Sequence, residues 1–190
     1  MNSILFVNAC VRPNSRTKEL ADFVLSRLDG SVKEVTLTNE VIEPLNWETL
    51  QLRDSAIKAK DYSGTLFRYA RDFAEADCIV VAAPYWDLAF PATLKQYFEA
   101  VTVTGLTYRY TPEGVPEGLC RAKRLIYVTT AGGSVYPFNF GFDYVKALAQ
   151  GFYGIKDVLF CKAEKLDIWG SDPEAILQQA KEEAAALLPR

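Results

Sequence analysis

The chain contains no histidine. That absence removes Ser-His-Asp and Cys-His catalysis, H-E-x-x-H zinc sites and the commonest acid/base group near neutral pH. Cysteine is sparse: Cys10, Cys78, Cys120 and Cys161 are scattered and form no C-x-x-C pair, so neither a zinc site nor a disulfide scaffold is expected. The sequence has neither G-x-G-x-x-G nor G-x-x-x-x-G-K-[ST], which argues against a Rossmann dinucleotide site and a nucleotide triphosphatase. No Lys/Arg tract occurs and the net charge is only −3, so nucleic acid and anionic membranes are not expected partners. No apolar run is long enough to span a bilayer, and Met1 leads directly into a strand pattern, so a cytoplasmic protein is expected. No Gly/Ser-rich or Pro-rich break divides the 190 residues, and one domain over 1–190 is expected.

What is present is an alternation. Apolar runs of strand length occur at 4–7, 32–37, 78–83, 125–130 and 158–161, and the first, third and fourth are apolar nearly throughout, as suits strands covered on both faces. Helical spacing lies between them: Leu20, Phe23, Val24 and Leu28; Leu66, Tyr69, Ala70 and Phe73; Leu94, Tyr97, Phe98 and Val101; and an aromatic segment at 140–153. Asp172 and Pro173 open a final helix, as N-cap and first helical residue. The pattern predicts an α/β fold with a doubly wound five-stranded parallel sheet of order 2-1-3-4-5. Two segments fall outside it: 40–63, a long excursion, and 104–119, where Tyr108, Tyr110, Gly114 and Gly118 suggest a short hairpin or lid.

Three strand ends carry specialised loops. After the first strand, Arg12, Asn14, Ser15, Arg16 and Thr17 lead into the first helix, and two cations with two hydroxyls at a helix N-terminus suit a phosphate. The same residues also serve plain helix capping. After the third strand, Pro84, Tyr85, Trp86 and Asp87 form an aromatic loop against which a planar ligand can lie, with Asp87 expected to point at that ligand, to cap the helix near Pro91 or to pair with Lys95. After the fourth, Thr130, Ala131, Gly132 and Gly133 let backbone approach a ligand closely or take positive φ. One ligand across the carboxyl edge of a sheet of this order would meet all three.

The first loop also spells C-x5-R from Cys10 to Arg16, the spacing with which phosphatases wrap a thiolate and an arginine around a phosphate, and Asp172-Pro173 matches the acid of the low-molecular-weight phosphatases. Against that reading, Pro13 has no N–H to donate within the loop, and Arg12 stands where those enzymes place glycine.

Taken together, Ser15-Arg16-Thr17, the run from Pro84 to Lys95 continued through Gly105-Leu106-Thr107-Tyr108-Arg109-Tyr110 to Gly118-Leu119, and Thr130-Ala131-Gly132-Gly133 resemble the flavodoxin-fold, FMN-dependent NAD(P)H:quinone oxidoreductases, including the bacterial azoreductases. Order and spacing agree from about residue 4 to residue 137. The resemblance implies FMN, NADH or NADPH as co-substrate, a quinone or azo-type acceptor, and a homodimer. It places Arg12 to Thr17 on the FMN phosphate, Pro84 to Asp87 at the isoalloxazine edge, and Thr130 to Gly133 on the far side of the ring. Many azoreductases read P-x-Y-N-F where this chain has Pro84-Tyr85-Trp86-Asp87-Leu88, so a carboxylate replaces an amide, and often have arginine where Ala131 stands.

A flavin performs the hydride chemistry itself, which fits a chain without histidine. Tyr136 is the candidate catalytic hydrogen-bonding group, with a packed core tyrosine as the alternative; Phe138, Phe140, Phe142 and Tyr144 line an acceptor pocket or an interface, or pack around a helix start. A flavodoxin-like electron carrier is a further alternative, but such carriers are usually strongly acidic for docking, unlike a chain of net charge −3.

Overall fold

The computed structural model describes residues 2–188. In chain order the elements are β1 (Ser3–Asn8), α1 (Arg16–Ser26), β2 (Ser31–Thr36), α2 (Trp47–Ala59), α3 (Arg68–Glu75), β3 (Cys78–Ala82), α4 (Ala92–Val101), β4 (Tyr108–Tyr110), β5 (Pro116–Gly118), β6 (Arg124–Thr130), α5 (Phe140–Leu148), β7 (Asp157–Ala163) and α6 (Pro173–Leu187). The five strands read from the apolar runs form one sheet of order β2-β1-β3-β6-β7, with every pairing parallel.

Side chains alternate across a strand, and here each face of the sheet acquires its own core. Leu5, Val7, Ile79, Val81, Leu125 and Tyr127 pack with Phe73, Leu94, Tyr97, Phe98 and Val145 of α3, α4 and α5. Ile4, Phe6, Val80, Ala82, Ile126 and Val128 pack with Leu20 and Val24 of α1 and with Leu177, Ala180 and Ala184 of α6. At about 1.5–3 kcal/mol for each fully buried large side chain, these two layers dominate the stability. Both faces of the central strands are thereby covered, which is why those runs read as continuously apolar. The edge strand β2 has only Val35 buried.

The 104–119 excursion is a hairpin, β4 antiparallel to β5. It sits on the chain after α5: a Cβ at Gly118 would collide with the backbone of Tyr153 and Gly154, so this approach requires glycine.

The 40–63 excursion contains helix α2, which the apolar spacing did not announce. Asn46 opens it with a capping box, accepting the Thr49 N–H at 2.9 Å while the Thr49 hydroxyl accepts the Asn46 N–H at 3.0 Å. None of its residues is fully buried. It is fastened by Arg53, which donates to the carbonyls of Glu99, at 2.9 Å, and Thr102, where α4 ends.

Candidate functional site

The sheet order reverses between β1 and β3, and the loops leaving their carboxyl ends diverge there to opposite faces. Such a switch point leaves a crevice that open α/β sheets use for ligands. An open cleft lies at this place, lined by Arg12, Asn14, Ser15, Arg16 and Thr17 after β1, by Pro84, Tyr85 and Trp86 after β3, and by Thr130, Ala131 and Gly132 after β6. It brings together eleven of the residues singled out in the sequence, and adds Val11, Leu166 and Asp167.

Hydrogen bonds fix the three loops to one another. Asn8 accepts the Cys10 N–H at 3.0 Å and donates to Glu34 at 2.9 Å, which sets the direction in which the first loop leaves β1. Ser15 caps α1, its hydroxyl accepting from the Lys18 N–H at 3.3 Å. The N–H groups of Arg16 and Thr17 have no acceptor within the helix, because a helix leaves its first donors unpaired. They are available at the cleft for an anion. Thr17 Oγ1 lies 2.6 Å from Thr130 Oγ1, with both residues buried, so α1 is bonded to the end of β6. Tyr85 N–H donates to the Thr130 carbonyl at 3.0 Å, and the Thr129 hydroxyl to the Ala83 carbonyl at 2.7 Å, holding the aromatic loop against β6.

Arg12 is exposed and, among the described residues, makes no ion pair or hydrogen bond. Arg16 is engaged: its guanidinium bonds to Asp167 at 2.8 Å and to the Leu166 carbonyl at 3.4 Å. Sequence spacing gives no hint of Asp167, which lies 151 positions from Arg16.

Asp87, Gly133 and Tyr136 do not line the cleft. The expectation that Asp87 caps the following helix is overturned. Pro91 is the N-cap of α4, with no side-chain cap, and Lys95 pairs with Glu99. Asp87 and Leu88 are instead the central residues of a tight turn, with φ of 50° and 67°, closed by an Ala89 N–H to Trp86 carbonyl bond of 2.8 Å. Tyr136 is not a packed core tyrosine, since it is 83% exposed. The aromatics after it divide: Phe138 and Phe140 are exposed and stack on each other, whereas Phe142 stacks on Phe160 and Tyr144 packs against Phe90 and Phe98. The Tyr85 hydroxyl donates to the Phe138 carbonyl, joining the aromatic loop to this segment.

The structure does not favour the thiol chemistry implied by C-x5-R. A phosphatase nucleophile needs a depressed pKa, whereas burial pushes the Cys10 thiol up. Asp172 is spent as a helix cap, accepting the N–H groups of Glu174 and Ala175 at 3.1 Å each. Among the described residues no cluster of carboxylate, thiol or imidazole groups could hold a metal ion, and no helix is long and apolar enough to cross a membrane.

Sheet order, switch-point cleft and loop chemistry define a flavodoxin-like α/β protein, and the profile of the family described as Flavodoxin-like fold matches residues 2–188. The chain belongs to that family. It is 35% identical to an FMN-dependent NADH:quinone oxidoreductase of Lachnoclostridium phytofermentans over 97% of this chain and 96% of the relative. It is 36% identical to FMN-dependent NADH:quinone oxidoreductase 2 of Clostridium acetobutylicum, again over 97% of this chain and 96% of the relative. The crystal structure of an azoreductase from Bacillus anthracis superposes with a TM-score of 0.86, at 27% identity, over 99% of both chains.

Proposed function

We propose that the chain is an FMN-dependent oxidoreductase that takes hydride from NADH or NADPH and delivers it to quinones or azo-type aromatic acceptors. The observation that carries this reading is the composition of one cleft. The open N-terminus of α1 with Arg12 and Arg16 lines it together with flat apolar surface from Pro84, Tyr85 and Trp86 and with the Gly132 loop. These donors suit a phosphate monoester and these surfaces a fused aromatic ring, so the residues present fit FMN. The names of the relatives support the same cofactor, donor and acceptor.

FMN, when bound, supplies the hydride chemistry, which leaves the protein to bind, orient and tune. Arg12, Arg16 and the first N–H groups of α1 would hold the phosphate by charge-assisted bonds. Trp86, 39% exposed, offers ring surface, and Ala131 adds an uncharged residue to the lining. Tyr136 and the stacked Phe138 and Phe140 stand exposed on the segment after the Gly132 loop, where an entering acceptor would meet them. Nothing in this arrangement calls for a protein nucleophile.

The reading includes one domain and a cytoplasmic homodimer. The exposed apolar side chains Val41, Trp47 and Leu52 support association of copies. Light scattering coupled to gel filtration tests it, a dimer mass being expected. For the activity, the test is reduction of a benzoquinone by NADH or NADPH in the presence of FMN, with loss of that turnover in Arg12→Ala/Arg16→Ala.

A further inference from the structure

Arg16 and Asp167 come from opposite ends of the chain and meet at the rim of the cleft. Nη2 of Arg16 donates to Asp167 Oδ1 at 2.8 Å, and Nη1 donates to the Leu166 carbonyl at 3.4 Å. A guanidinium carries five N–H donors in a rigid fork. Two are thus occupied by the segment after β7, and three remain for a ligand.

That segment is itself fixed by backbone. Lys165, Leu166 and Asp167 donate their N–H groups to the carbonyls of Gly133, Ala131 and Gly132 at 2.9, 3.2 and 2.9 Å. Gly132 contributes a second way: a Cβ there would collide with Oδ2 of Asp167. A side chain at 132 would thus push the Asp167 carboxylate from the place where it meets Arg16. The Gly132 loop therefore seats the carboxylate, and the carboxylate holds the arginine.

We infer that Asp167 is the positioning residue of the phosphate end of the site, directing Arg16 so that the phosphate monoester of a flavin meets a guanidinium already oriented. This rests on the flavin reading above. An exposed ion pair adds little to folding stability, and here the two side chains are 36% and 63% exposed. Its effect falls on binding instead. Ordering a free arginine at the moment of binding weakens affinity about two- to tenfold, and a pre-oriented one avoids most of that loss. Repulsion between the carboxylate and the phosphate acts the other way, but water and salt around a carboxylate this exposed damp it.

Binding of FMN and of riboflavin, which differ only in the phosphate, is measured by fluorescence quenching for wild type, Asp167→Asn, Arg16→Ala and the double variant. Asp167→Asn should weaken FMN about two- to tenfold, leave riboflavin unchanged, and add nothing in the Arg16→Ala background. Unchanged FMN affinity, tighter FMN, or equal weakening of both flavins would overturn the proposal. Arg16→Lys keeps the charge without the fork and should also lose FMN preference; wild-type preference in that variant counts equally against pre-orientation. Wild type that binds neither flavin removes the cofactor reading and this proposal together, whereas an intact FMN preference in Asp167→Asn removes the proposal alone.

Discussion

Thr17 and Thr130, 113 positions apart, share a hydrogen bond of 2.6 Å between buried hydroxyls, and through it the N-terminus of α1 is joined to the carboxyl end of β6. Each hydroxyl has the other as partner, so removing one leaves a largely buried hydroxyl without it. Thr17→Val should cost about 1–3 kcal/mol in urea denaturation, and Thr17→Val/Thr130→Val should recover part of that. A single variant as stable as wild type would show that the bond contributes nothing.

The turn at Asp87 and Leu88 stores backbone strain that glycine would relieve. An L-residue in the left-handed region costs about 1–2 kcal/mol, and Leu88 at φ 67° buries little, being 46% exposed. Leu88→Gly should raise the melting temperature. Asp87→Asn should leave it unchanged or slightly higher, because asparagine tolerates φ of 50° and no cap is lost. A clear drop for Asp87→Asn would show that the carboxylate charge itself contributes to stability at this turn.

Burial raises the thiols from 9.0, to about 11 for Cys78 and Cys161 and to about 12 for Cys120, and raises Cys10 as well. An acid whose folded pKa lies above its unfolded value favours the fold fully below the unfolded pKa, and that contribution is lost as pH climbs through the folded one. Stability measured by urea denaturation should fall between pH 9 and pH 12, less steeply in Cys120→Ala. An identical alkaline slope in the variant would contradict burial of that thiol. Turnover of p-nitrophenyl phosphate is expected to be nil.

If donor and acceptor occupy one cleft in turn, steady-state kinetics with NADH and a benzoquinone are ping-pong. Double-reciprocal lines should be parallel as the quinone is varied at several NADH concentrations. Intersecting lines would require both to be bound together, in two places.

The sheet was legible because strands covered on both faces must be apolar at every position, which makes runs such as Ile79, Val80 and Val81 conspicuous. Helix α2 was not, because a helix with no buried residue shows little apolar periodicity; its available signal was Asn46 with Thr49, a capping box at the right spacing. The three cleft loops were readable from local chemistry at strand ends. Asp167 escaped because its partners are set by tertiary packing: Arg16 lies 151 positions away, and the bonds that bring the two together run through the Gly132 loop. Asp87 before Pro91 had the composition of a cap, but the tight turn directs the chain otherwise.

The central claim is that this cleft holds FMN as a working redox group. The direct measurement is anaerobic addition of NADH or NADPH to the FMN-reconstituted, gel-filtered protein while its visible spectrum is followed. The account predicts an oxidised-flavin spectrum that co-elutes with the protein, bleaches on adding the nicotinamide and returns on adding a quinone. Protein that emerges without flavin, or bound flavin that neither nicotinamide reduces, would contradict it.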